Sequence, residues 1–284
     1  MKKNITFLLL SLLSLTIFSQ DKVKGNGVNT LIETKVMDFN KIILNNEFEV
    51  TLIKSDDPSI EIETDENLHE EIELSVVDSI LTIETSTKLR PKNKIEVTIF
   101  CTKNLEKIEL NDDSSITSLS TINLTDLQLT INDKSKANLI IKTDEYFKLI
   151  SKNKGKMQLR SNSTLDVSSP KVDLNLAESA NTLLTIKTDT LGITLKRNAA
   201  LEINGDAQFA DIISQNNSDL KAKDFRTHDI KIIAKDNANC EMNAIDNISI
   251  EATDKSKIEL YGDPKIALNK FRNTAKLYKK EDKK

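Results

Sequence analysis

The sequence of 284 residues has no tryptophan, four prolines, six glycines, two cysteines and two histidines, and aromatics make up only 4% of it. Each scarcity excludes something. His69 and His228 are far apart and form no HxxxH or HExxH spacing, so zinc sites and nucleophilic triads are poorly supplied. Both read as surface residues. GxSxG, CxxC and a glycine-rich phosphate loop are absent. Tyr146, Phe147, Phe209, Phe225, Tyr261, Phe271 and Tyr278 are too scattered to form a glycan-binding platform, and read as core packing or end capping. No linker rich in Pro, Ser or Gly divides the chain. No catalytic, cofactor-binding or metal residue is nominated, and the expectation is a protein that is not an enzyme and carries no cofactor.

Long apolar runs are equally rare. The single one, Ile5 to Phe18, follows Lys2 and Lys3 and ends at Ser19-Gln20 before the charged Asp21-Lys22-Val23-Lys24. A basic start, a short apolar core and a polar end describe a secretory signal peptide over 1–20, since a spanning helix wants about 20 apolar residues. No cysteine follows the run to carry a lipid anchor. The formal net charge of −4 becomes −6 once Lys2 and Lys3 leave. Acidic and basic residues are interspersed, without a basic patch for nucleic acid or a second apolar run for a membrane. The expected location is the periplasm, the outer cell surface or the medium.

What is abundant is Thr, Ile, Asn, Asp, Ser and Lys. Ile and Thr suit pleated, half-buried surfaces, and Asn, Asp and Ser suit turns. Turn-like tracts recur: Asp113-Ser-Ser-Ile116, Asp133 to Ala137, Asn153 to Met157, Glu178 to Thr182, Arg197 to Leu201, Asn216 to Leu220, Asp236 to Cys240 and Asp254 to Ile258. A small residue falls at 114, 135, 155, 180, 199, 218, 238 and 256, giving intervals of 21, 20, 25, 19, 19, 20 and 18. Alternating runs such as Leu127-Gln-Leu129-Thr-Ile131 and Val172-Asp-Leu174-Asn-Leu176 flank each tract. Alternation sends every second side chain inward, and strands this short bury an apolar face only by stacking. The small residue fits a corner where the next coil lies about 4.8 Å away. The fold predicted is all-β, a single-stranded parallel β-helix-like solenoid with coils of about 20 residues.

The expected organisation is a signal peptide over 1–20, a leader over 21–38, a solenoid over 39–278 and a charged tail over 279–284. Within the solenoid, 39–110 forms opening coils or a cap, 111–266 the regular repeats and 267–278 a C-terminal cap. A separate small β domain before the repeats is the alternative. Asp65 to Glu71 reads as one helical turn or a charged loop.

The stretch Phe39-Asn-Lys-Ile42-Ile-Leu-Asn-Asn-Glu-Phe48-Glu-Val50-Thr-Leu52 reads as an entry motif. With Ser59-Ile-Glu-Ile62, Asp65-Glu-Asn-Leu68, Asp78-Ser-Ile-Leu81-Thr-Ile83, the corner-marked repeats and Tyr261-Gly-Asp-Pro264, it resembles the head GIN domain family of adhesin-like bacterial envelope proteins. The resemblance covers roughly residues 39 to 280. The family often has glycine at the corners, where this chain has mostly Ser, Ala and Asn. The resemblance implies an exported β-helical protein, and brings no catalytic or ligand residues with it.

Three residue sets are candidates for chemistry. Cys101 and Cys240 lie at inward positions about six coils apart, on the order of 29 Å. A disulfide needs Cα atoms roughly 4.4–6.8 Å apart, so free buried thiols are expected. Asp113, Asp133, Glu178, Asp236 and Asp254 recur before the corner residue and could form a calcium ladder or a glycan-cleaving pair. Asn153, Arg197 and Asn216 interrupt that column, and Asp and Asn are simply good turn residues. Sequons at Asn123, Asn162 and Asn247 are expected by chance in this composition. The expected function is a non-catalytic, adhesin-like binding or scaffolding solenoid whose partner, if it has one, is a cell-surface or glycan ligand. The alternatives are a polysaccharide-active β-helix enzyme using surface carboxylates, and a periplasmic structural or sensory component.

Overall fold

The computed structural model describes residues 22–153 and 162–281. The expected signal peptide, the corner at Gly155 and the last three residues of the charged tail lie outside the described residues. The described chain is a β-solenoid of about 8 turns of about 20 residues. Its first part runs β1 (Lys22–Lys24), β2 (Asn29–Lys35), β3 (Lys41–Leu44), β4 (Glu49–Lys54), β5 (Ser59–Asp65), a 3-10 turn (Glu66–Glu71), β6 (Ile72–Val77), β7 (Ile80–Thr85), β8 (Lys88–Arg90) and β9 (Glu96–Cys101). The regular stack follows as β10 (Lys107–Leu110), β11 (Ser115–Ser118), β12 (Ile122–Asn132), β13 (Lys136–Asn153), β14 (Asn162–Ser168), β15 (Lys171–Glu178), β16 (Asn181–Lys196) and β17 (Ala200–Ser214). It ends with β18 (Asp219–Ala234), β19 (Asn239–Ala252), β20 (Lys257–Tyr261), β21 (Lys265–Phe271) and β22 (Lys276–Lys279).

Alternation dictates the core. One inward ladder runs Leu81, Ile42, Ile108, Leu129, Leu149, Leu174, Ile193, Ile212, Ile232, Ile250 and Leu268, each opposite the next in a parallel pair. Every member but the last is buried, whereas Leu268 is 52% exposed. Long strands such as β16 serve two faces of the stack. Its first half pairs with β14 and its second with β15, so the chain rounds a corner without leaving the sheet.

The small residues sit where the period placed them. Ser114, Ser135, Ala180, Ala199, Ser218, Ala238 and Ser256 are each at most 1% exposed. Most close a four-residue turn: the Ser114 N–H donates to the Asn111 carbonyl and the Ser256 N–H to that of Thr253. Their own carbonyls accept from the next coil, as when the Lys136 N–H donates to Ser114 at 3.0 Å. An inward residue wedged between two such turns has no room for a longer side chain, which is the steric reason for the repeat.

Spatial order departs from chain order at the first coil. The β3–β4 coil lies between β7 and β9 on one side and β10 and β11 on the other, all parallel to it. An amide ladder records the same order, with Asn45 donating to Glu84, Asn111 to Asn45 and Asn132 to Asn111 at 2.8–3.0 Å. The excursion between β4 and β9 builds a partly antiparallel end: β5 pairs with β9 and β2, and β6 with β7. The stretch 66–71, expected as a helical turn or a loop, is the 3-10 turn. Asp65 ties this end together, its carboxylate accepting from the N–H groups of Gly27, Lys92 and Asn93 and from the Asn93 amide. Burial alone would raise its pKa, but these donors outweigh that and hold it below the usual carboxylate range.

Candidate binding surface

Most of the corner carboxylates share one backbone conformation. Asp133, Glu178, Asp236 and Asp254 all take the left-handed backbone conformation, with φ between 53° and 66°. Arg197 and Asn216 take it too. At the first corner Asp112, rather than Asp113, does so. What recurs along this column is therefore a backbone geometry that Asp and Asn tolerate best. The carboxylates also have neighbours: Asp113 faces Lys134, Glu178 faces Arg197, Asn216 donates to Asp236 and Asn273 to Asp254. No group of three or more metal-capable side chains is found among the described residues.

Cys101 and Cys240 are both buried and unbridged. Burial pushes their thiols up to about 11 and about 12 respectively. His69 and His228 are not brought together. His69 sits in the 3-10 turn against Thr30, and His228 in β18 beside Asp246, 2.8 Å away. Phe147 and Phe225 are core residues, while Phe209, Phe271 and Tyr278 are substantially exposed near the last coils.

The feature that sequence reasoning missed lies on the outward face of β13, β15, β16, β17 and β18. There the parallel register lines up Lys148, Asp173, Gly192, Asp211 and Lys231, one per coil. Lysines stand at both ends, carboxylates inside them, and a residue without a side chain lies in the middle. Lys148, Asp173, Gly192 and Asp211 line a notch of about 400 Å³ together with Tyr146, Thr190 and Thr194, and Lys231 stands one rung beyond it. Asp173 leans into the space that Gly192 leaves, for a Cβ there would lie 2.2 Å from its Oδ1. The Tyr146 hydroxyl donates to Asp173 Oδ2 at 2.7 Å, and Lys171 Nζ stands 5.4 Å from the Tyr146 ring centre. A glycine inside an alternating strand was the available signal, since such a residue often marks a close approach.

Burial, then the hydrogen bond to Asp173 and its charge, push the Tyr146 phenol well above the ordinary tyrosine range. An alkaline titration followed by phenolate absorbance should therefore show one of the three tyrosines lagging. In Asp173→Asn the lag shortens, because the charge is gone while the burial remains. An unchanged profile would mean that the two side chains do not meet in solution.

Comparisons with known proteins match the fold. Solved structures with the same fold include a protein from Parabacteroides merdae named "putative adhesin", at TM-score 0.60 and 21% identity, covering 92% of this chain and 98% of that one. A Parabacteroides distasonis protein named "putative lipid binding protein" aligns at TM-score 0.57 and 16% identity, over 91% and 97% of the two chains. Another "putative adhesin" from that organism aligns at 0.55 and 21%, over 92% and 98%. No curated protein matches the chain. The family model described as "putative auto-transporter adhesin, head GIN domain" matches residues 38–166 and again 148–264, and with most of the stack so accounted for the chain belongs to the head GIN domain family.

Proposed function

We propose that this chain is an exported, non-catalytic envelope protein that works as an adhesin-like binding or scaffolding solenoid. The observation that carries the reading is the outward row Lys148, Asp173, Gly192, Asp211 and Lys231, set at one-coil spacing on a rigid stack. Two carboxylates and flanking ammonium groups around a shallow notch suit a polyhydroxylated ligand, whose hydroxyls both donate and accept. Contacts of this kind are individually weak, so attachment would come from many copies acting together. Family membership agrees with it. No helix among the described residues is long and apolar enough to cross a membrane.

The test has two arms. Protease shaving of intact cells, with a periplasmic control, should remove the protein while sparing the control. Beads coated with it should then adhere to glycan-bearing cells or matrix, and Asp173→Asn with Asp211→Asn should reduce that adhesion several-fold. Protection from protease until the outer membrane is opened would replace the adhesin reading with a periplasmic scaffold or sensor.

One observation favours a polysaccharide-active enzyme as the second reading. Asp173 and Asp211 are two rungs apart, about 10 Å between backbones. Asp173 leans over the Gly192 rung between them, which brings its carboxyl toward the roughly 6.5–9.5 Å spacing that inverting glycosidases use. Release of reducing ends from any glycan, abolished by either substitution, would establish it over the first.

A further inference from the structure

The two ends of the solenoid differ in closure and in charge. At the tail, β21 pairs only with β19, and β22 only with β20, so both strands present an unpaired edge among the described residues. The inward ladder does not stop there. Ile266 and Leu268 continue the column below Ile248 and Ile250 yet are 46% and 52% exposed. Residues 265–280 hold six lysines and arginines and no acid. Lys279 and Lys280 pair with Asp263 and Glu259 within the chain. Lys265, Lys270, Arg272 and Lys276 complete the set.

At the head one stretch has the opposite composition, although β1 and β8 beside it carry Lys22, Lys24, Lys88 and Arg90. Residues 55–87 hold eleven Asp and Glu and no lysine or arginine. Four of these acids face another acid directly across strands: Glu61 faces Glu33, Glu63 faces Glu96, and Glu73 and Glu84 face each other. Like charges directly opposite are destabilising. Lys94 lies near Glu96, and Asn29 and Asn45 donate to Glu63 and Glu84. Glu33, Glu61 and Glu73 make no ion pair among the described residues and would gain from cations outside. Its outer strands, β2 and β6, also have one edge each without a partner among the described residues. Val28, Leu31, Ile32 and Val77 are exposed beside them.

We propose that the occupant of the basic tail edge is the acidic head of a second copy of this chain, so that the solenoids stack head to tail. Strand directions allow it on either face. Since β5 and β2 add two strands beyond β9 where β6 adds one beyond β7, one face pairs at a time unless the copies tilt. β6 runs against the parallel stack and would receive β21 as an antiparallel partner, whereas β2 runs with the stack and would receive β22 in parallel. A tail-to-tail pair would instead bring the six cations against six more. A head-to-tail contact that does not close on itself grows into a linear row, multiplying the outward notches along one axis.

The chain as the cell matures it should be tested by sedimentation velocity at rising concentration, in ~20 mM and ~500 mM salt. At low salt a ladder of dimers, trimers and longer species should form, with apparent affinity falling about tenfold or more at high salt. Lys265→Glu with Lys270→Glu and Lys276→Glu should leave monomers, as should Glu70→Lys with Glu73→Lys. Mixing the two variants should restore assembly, because each keeps one native end. All sites are at the surface, and unchanged circular dichroism would verify that the variants fold. A monomer at every concentration in low salt, the tail being covered by other parts of the chain or by nothing, overturns the proposal. So does association that survives in either variant alone, which would mark a symmetric or unrelated contact.

Discussion

Leu174→Asp should leave little or no folded protein. Leu174 is 1% exposed and lies between Leu149 and Ile193 in the long inward ladder. Losing a buried leucine of this kind costs about 2–5 kcal/mol. An unpaired carboxylate adds several kcal/mol more, since it must enter an apolar column either charged or with its pKa forced upward. The sum rivals the whole stability of a domain, about 5–15 kcal/mol. A solenoid has a second way to fail. Each coil touches only its neighbours, so one broken rung can uncouple the two halves of the stack. Expression level and hydrogen exchange resolved by coil would separate these outcomes, with protection lost first in β13, β15 and β16. Asn175→Asp, one residue along on the outward side, should shift stability by no more than about 0.5 kcal/mol. Equal behaviour of the two variants would mean that the inward register is wrong.

That register was legible because it is local and repeated. Val172-Asp-Leu174-Asn-Leu176 announces its inward side by itself, and the corner residues announce the stacking distance. Their recurrence at 114, 135, 180, 199, 218, 238 and 256 fixed the coil length before any contact was known. Coil order at the head was not legible. Ile42 pairs with Leu81 on one side and Ile108 on the other, and all three sit in the same kind of alternating run. Nothing in that pattern says which segment is laid down on which side. The final coil is a similar case, because Ile266-Ala-Leu268 reads the same whether or not something covers it. The notch was missed for a different reason. The carboxylates that recur are the ones that stand out in the sequence, and recurrence in this chain reports turn geometry. Asp173 and Asp211 occur once each in their row, and only Gly192 between them hinted at a special place.

Two strand glycines should respond to the same substitution in opposite ways. Gly205 has φ of +116°, and a Cβ there would lie 2.0 Å from the carbonyl oxygen of Ile186 and 2.9 Å from its carbonyl carbon. Both obstacles are backbone of the adjacent coil, paired in register with Gly205 itself. Relief requires the coils to part locally, which would pull Leu184 away from Ile203 in the buried ladder beside them. Gly205→Ala should therefore cost about 3 kcal/mol or more, from the unfavourable φ and the clash together. Gly192→Ala meets only the Asp173 carboxylate, the nearest backbone atom being 3.9 Å away. A side chain can turn aside, so this variant should stay within about 1 kcal/mol of the parent and lose the Tyr146 hydrogen bond instead. Denaturant unfolding of both proteins, with the tyrosine titration of the second, checks the contrast. If Gly205→Ala unfolds at the parent's midpoint, the pairing of residue 186 with 205 is not the one the protein uses. If Gly192→Ala is the one that collapses, the notch is filled by backbone rather than by Asp173, and the binding surface argued from it goes with it.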